Sequence, residues 1–178
     1  MSASTVQGWS YRCYHGDLDA GKFGLFETFV ELWRSKIHSG IFPSWREFEF
    51  EEFEEWWGRL SLAEIKNAPF DLEFILWGTQ LTNWWSIDYT RKNMSEAYEG
   101  RQENWEQYEG PYFRSLIEHH GIGMICGTLT LLDREFIHVQ GVDVLLTKDD
   151  EVSQVLSCYA KLGSEQPKFP DVEPVFIV

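Results

Sequence analysis

Over residues 25–38 the apolar side chains Leu25, Phe29, Leu32, Trp33 and Ile37 recur at three- and four-residue steps, with Glu27, Glu31, Arg34 and Lys36 between them. That is the period of an amphipathic helix, and it predicts one here. Lys36 and His38 suit the negative end of the helix dipole, and Gly40 can close the helix. Ile41-Phe42-Pro43 breaks the period, and Ser44 followed by Glu47 reads as a capping box for a second helix. Over 47–57 Phe50, Phe53 and Trp57 share one face, with Glu51, Glu52 and Glu55 largely opposite. The glutamates read as a solvated face, because a hard cation needs converging oxygens and not a radiating row.

The period then shortens to two. Residues 59–66 and 70–77 alternate around Asn67-Ala68-Pro69, which predicts an antiparallel hairpin. Thr79 is placed to cap a short helix carrying Leu81, Trp84 and Trp85. Residues 86–109 are polar with scattered aromatics and predict short helices, one presenting Trp105, Tyr108 and Tyr112. Gly110-Pro111 starts a better helix, with Phe113, Leu116, Ile117 and His120 as one stripe before Gly121. Residues 122–132 and 136–146 then alternate on either side of Asp133-Arg134-Glu135. The face Phe136, His138, Gln140, Val142, Val144 marks a second hairpin. Asp149-Asp150 turns the chain into a third strand over 152–161. The tail carries Pro167, Pro170 and Pro174 and reads as extended, its final Val-Phe-Ile-Val able to dock on a sheet edge. The result is an α+β domain over 24–162, with a loosely ordered segment 1–23 before it and the tail 163–178 after it.

Composition narrows the function. Of 178 residues 43% are hydrophobic, including nine Trp and thirteen Phe, which is ample for one core and speaks against disorder. No run approaches the roughly 18 apolar residues of a membrane span, and residues 1–14 do not resemble a secretory signal, so a cytoplasmic setting is expected. Cys13, Cys126 and Cys158 are too widely spaced for a disulfide framework or a zinc pattern. A net charge of −14 speaks against nucleic-acid binding. There is no G-x-S-x-G, no H-E-x-x-H and no phosphate-cradling glycine loop, so a non-catalytic domain is expected.

Several short motifs recur in a fixed order. Leu32-Trp33-Arg34 ends the first helix. Phe42-Pro43-Ser44-Trp45-Arg46-Glu47-Phe48 is similar to a P-x-R-x-D-F opening, Leu76-Trp77-Gly78-Thr79 to L-V-G-T, and Asp88-Tyr89-Thr90-Arg91-Lys92 to D-L-T-G-R. In this order they resemble the stand-alone bacterial PAS-like sensory family, over most of the chain. Ser86 and Arg91 stand where that family has glycines, and Ile75 where it has an arginine. The resemblance implies a five-stranded antiparallel sheet with helices over one face around a small cavity, preceded by an N-terminal helix. It also implies a sensory or regulatory role through a small molecule or a signalling partner.

The residues expected to line such a cavity are Trp84, Trp85, Tyr112, Leu116, His120, Met124, Cys126 and His138, a mostly apolar set with a few polar groups. His120 is the candidate axial ligand if the cavity holds haem, as in some proteins of this fold. No cysteine lies in the helix context of a covalent flavin photosensor. Met94, Met124 and Cys126 read as soft wall or core fillers, and Asp88 as a turn residue. The stripe of residues 25–38 extends beyond one sheet-facing edge and suggests a homodimer through that helix. Two other readings stay open: an enzyme using His120 or His138 as acid or base, and a protein-interaction adaptor whose cavity is filled by its own side chains.

Overall fold

The computed structural model describes residues 8–96, 102–129 and 137–178. One antiparallel sheet of seven strands organises them: β1 (Ser10–Tyr14), β2 (Leu60–Asn67), β3 (Phe70–Trp77), β4 (Ile122–Leu129), β5 (Ile137–Lys148), β6 (Glu151–Leu162) and β7 (Phe176–Ile177). Their order across the sheet is β3-β2-β6-β5-β4-β1-β7. Alternation therefore located β2 to β6 to within a few residues. The turn expected at 133–135, with its flanks, lies outside the described residues.

Both ends of the chain enter the sheet. Ser10–Tyr14, expected to be loosely ordered, pairs along β4 from Ser10↔Cys126 to Tyr14↔Ile122. The short period-two run Tyr11-Arg12-Cys13-Tyr14 explains this, since Tyr11 and Cys13 face one core and Tyr14 the other. The C-terminal residues dock on β1 as expected, through Arg12↔Ile177 and Cys13↔Phe176.

Helical segments cover both faces of the sheet, not one. On the first face a 3-10 segment (Ala20–Phe26) leads into α1 (Glu27–Ser35). Phe26, Phe29, Val30 and Trp33 pack there with Ile122, Met124, Val142, Val144, Leu146 and Leu156. Trp33 also donates its indole N–H to the Leu145 carbonyl at 2.9 Å, so the large ring is buried without an orphaned donor. The stripe that suggests a homodimer in the sequence thus packs on the chain's own sheet; Leu25, 57% exposed, is its member left outside.

The second predicted helix is two 3-10 segments, Trp45–Glu47 and Phe50–Trp56. The capping contact foreseen at Ser44 forms, with the Ser44 N–H donating to Glu47 Oε2 at 2.6 Å. Three residues per turn bring Phe53 and Trp56 inward together and leave Trp57 outside, stacked on Phe50 at 5.2 Å. The run Glu51, Glu54, Glu55 faces solvent.

The second face carries α2 (Thr79–Trp85), α3 (Gln102–Asn104), a π-type turn (Trp105–Glu109) and α4 (Gly110–Glu118). Leu81, Trp105, Tyr112, Phe113 and Leu116 bury against Leu72, Phe74, Ile125, Leu145, Val155 and Tyr159. Among the described residues no helix is long and apolar enough to cross a membrane.

The β5–β6 turn joins Lys148 to Glu151 through Asp149 and Asp150, whose φ values are 56° and 62°. A two-residue hairpin of this hand favours Asn-Gly, because both positions must be left-handed. We expect Asp149→Asn/Asp150→Gly to raise the unfolding free energy by about 1 kcal/mol, read as a higher denaturant midpoint with an unchanged m-value. A lower midpoint would show that the aspartates make a contact that outweighs their strain.

Candidate functional site

Three glycines open the second face. Gly123, Gly127 and Gly141 all point their missing side chains toward it, and an added Cβ would meet Tyr112, Trp9 and Tyr159 respectively within 3 Å. A strand glycine gives another group room to approach the backbone, and here the group is an aromatic ring each time. The rings laid over these notches leave a cavity of about 40 Å³ between sheet, α2 and the π-type turn. Trp77 and Phe74 line it from β3, Tyr159 and Ile125 from the sheet centre, and Tyr11 and Trp9 from the N-terminal strand region. Trp85, Tyr89, Met94, Glu109 and Phe113 complete the wall. That volume suits roughly one or two waters, well short of the roughly 300 Å³ of a drug-sized site. Trp9 and Trp85 are half-buried while the other rings are buried, so these two form its rim.

The rings meet edge to face. Trp77 contacts Tyr89 at 4.9 Å, Phe74 at 5.0 Å and Trp85 at 5.4 Å, all steeply tilted. Such geometry sets the positive edge of one ring on the negative face of the next. Two polar features interrupt the wall. Tyr11 Oη donates to Glu109 Oε1 at 2.5 Å, and the glutamate is 3% exposed. The Trp77 indole N–H is buried and finds no acceptor among the described residues. Burial, and then the charge of Glu109, push the Tyr89 phenol up.

Beneath the cavity sits a second polar cluster. Asp143 of β5 is 1% exposed; its Oδ2 accepts from Tyr112 Oη at 2.6 Å and its Oδ1 from Ser157 Oγ at 2.5 Å. Burial pushes its carboxyl up to about 6, against the two hydroxyl donors that favour the charged form. Burial also pushes Cys13 up to about 12 and raises Cys126 and Cys158, so none of the three is a ready thiolate.

The structure divides the expected site residues. Trp85 lines the cavity, while Trp84 is partly buried against the same core without reaching it. Tyr112 and Leu116 lie fully buried on the correct face, Tyr112 committed to Asp143. Met124 and Cys126 belong to the opposite face, because alternation along β4 turns Ile125 and the glycines toward the cavity. His138 is exposed and within 2.9 Å of Thr128 Oγ1.

His120 does not reach the cavity either. It follows α4 in a left-handed conformation, φ 48°, is exposed, and sets its ring edge-on to Phe42. The geometry therefore offers no axial ligand from His120 to this cavity, and neither His120 nor His138 lines it as an acid or base. Among the described residues no group of three His, Cys, Asp or Glu could hold a metal ion. Met94 is in the wall, as expected of a soft filler. Asp88 is a turn residue, accepting from the Thr90 N–H at 2.8 Å.

Trp9, Tyr11, Trp77 and Glu109 were not legible as site residues, yet the glycine row at 123, 127 and 141 was the available signal. Compared with known proteins, the chain matches no family model, no curated protein and no solved structure.

Proposed function

We propose that the chain is a non-catalytic sensory or regulatory domain of the PAS-like kind, which binds a small molecule in the cavity on its second face. The observation that carries this reading is a cavity on the second face lined by aromatic rings. The motif resemblance draws support from the backbone. Ser86 and Arg91, which replace the family's glycines, have φ values of 60° and 70°, the left-handed region that glycine serves best. The other motif residues have structural tasks: Trp33 ties α1 to β5, and the Phe42 and Pro43 carbonyls accept from Thr147 at 2.8 and 2.9 Å.

A second reading, an interaction module with a filled cavity, is favoured by the small cavity volume and by the exposed Phe50–Trp57 stack. A thermal-shift screen of a small-molecule library separates the two. Under ligand binding, some compounds raise the wild-type Tm by about 5 °C or more at a hundred times Kd. Ile125→Trp, which fills the cavity, abolishes those shifts. Shifts that persist in the variant, or none in the wild type, would favour the interaction module.

A further inference from the structure

Among the described residues Phe50 and Trp57 are the large aromatic side chains left outside, 61% and 46% exposed. They are held in place all the same. Their rings stack at 5.2 Å with an interplanar angle of 11°, and the Trp57 indole N–H donates to the Phe50 carbonyl at 3.2 Å. That bond lays the indole back along the 3-10 segment, the stretch that carries Glu51 and Glu54. Rings fixed in this way lose little side-chain freedom when a partner covers them. Charge decides what can cover them. From Trp45 to Trp57 the chain has six Glu against one Arg, and Glu49, Glu51, Glu54 and Glu55 are exposed. Among the described residues no Lys or Arg pairs with Glu51 or Glu54, and none lies over Phe50 or Trp57. At Phe48 and Glu52 the chain completes the same combination with a cation of its own. There Lys36 Nζ lies 2.7 Å from Glu52 Oε1 and 5.8 Å from the Phe48 ring centroid.

We propose that the Phe50–Trp57 face docks a basic segment of a partner protein, with an Arg side chain laid on the outer face of the indole and neighbouring cations paired with Glu51 and Glu54. Arg suits the place because its guanidinium stacks flat on a ring and donates to carboxylates at the same time. A second copy of this chain does not suit it. A two-fold contact through this face would set the same glutamates against each other, in a chain of net charge −14. The face is separate from the cavity, whose lining includes neither ring of the stack and none of these glutamates.

The test titrates the full chain, labelled with nitrogen-15, with the capped peptide Arg-Gly-Arg-Gly-Arg and with its citrulline counterpart, which keeps the shape and drops the charge. The Trp57 indole resonance, assigned through Trp57→Phe, is expected to move with the arginine peptide. The citrulline peptide should bind at least about tenfold more weakly. Glu51→Gln/Glu54→Gln should weaken the arginine peptide about fivefold, and Trp57→Ala about fourfold. All three positions are exposed, so the fold is kept, and the citrulline comparison needs no variant. Asp171→Asn/Glu173→Gln removes the same charge from the exposed tail and should change the affinity by less than about twofold. A loss as large as that of the glutamine pair at 51 and 54 would mean that net charge, not this face, attracts the peptide, and overturns the proposal. Equal binding of the two peptides, a Trp57 resonance that stays in place, or one that moves with protein concentration alone, the sign of a second copy, overturns it too. Ile125→Trp fills the cavity and should leave peptide binding unchanged, so failure of the small-molecule reading and failure of this one are told apart. Peptide binding lost in that variant would put the peptide in the cavity and not on this face.

Discussion

Gly123→Ala is expected to lower the unfolding free energy by about 4 kcal/mol, the combined scale of overpacking and of a broken hydrogen bond to a charged group. An added Cβ would stand 1.8 Å from Tyr112 Oη and 2.7 Å from its Cζ. The ring has nowhere to go. Tyr112 is fully buried, with Phe113 at 4.9 Å and Tyr11 at 5.4 Å between ring centroids. Its hydroxyl is one of two that donate to Asp143. Displacing it would remove one of the two hydroxyl donors of a carboxylate that is buried from solvent.

Two comparisons isolate that cause, both by chemical denaturation. Gly127→Ala places a Cβ 2.0 Å from the Trp9 ring, an equally severe overlap on paper. Trp9 is only half-buried and can turn outward, so the loss should be about 1 kcal/mol. In the double variant Gly123→Ala/Tyr112→Phe the overlapping oxygen is gone. Its loss should fall short of the sum of the single losses by more than about 1 kcal/mol, as expected for groups in contact. Strict additivity would mean that alanine at 123 acts through the strand itself and not through Tyr112.

The same glycines show which parts of the fold the sequence reveals. Strands β2 to β6 were legible because short apolar, partly alternating runs bounded by turn residues are local information, even though both faces of the sheet are covered. The side itself was not. Met124 and Cys126 look like cavity wall because they are large and soft, but the cavity side of β4 is the row Gly123, Ile125, Gly127, where small residues make room for rings from elsewhere. Assigning that row requires knowing that Trp9, Tyr112 and Tyr159 come to lie there. Of these Trp9 lies 118 residues before Gly127, a pairing that local pattern does not encode. His120 shows a different limit. Its spacing put it on the α4 stripe, but the helix ends at Glu118 and the left-handed turn aims the ring at Phe42. The 3-10 segment Phe50–Trp56 failed in the same way, since a three-residue period exchanges Trp57 for Trp56.

Asp143 should make this protein less stable as the pH rises through the acid range, opposite to the effect of a salt-bridged carboxylate. Its ordinary value is 3.8 and burial lifts it to about 6 in the folded chain. Between those values the folded state binds a proton that the unfolded state has released, so stability from this group is complete below 3.8 and is lost as the pH rises through about 6. A shift of roughly two units corresponds to about 3 kcal/mol. The measurement is the unfolding free energy of wild type minus that of Asp143→Asn, followed from pH 3.5 to 7.5. Groups present in both proteins drop out, including Glu52 and Asp88, whose lowered values would give the reverse slope. Cys13, Tyr112 and Tyr159 face the site but stay uncharged throughout, because burial drives them upward. Asparagine keeps the volume and one carbonyl acceptor, so the hydroxyl it fails to satisfy moves the baseline and leaves the slope intact. The difference should fall by about 3 kcal/mol across the window. A difference that rises with pH would mean that the hydroxyls of Tyr112 and Ser157 outweigh burial and hold the anion of Asp143 better than water does, although it is 1% exposed; a flat difference would mean that the two effects cancel.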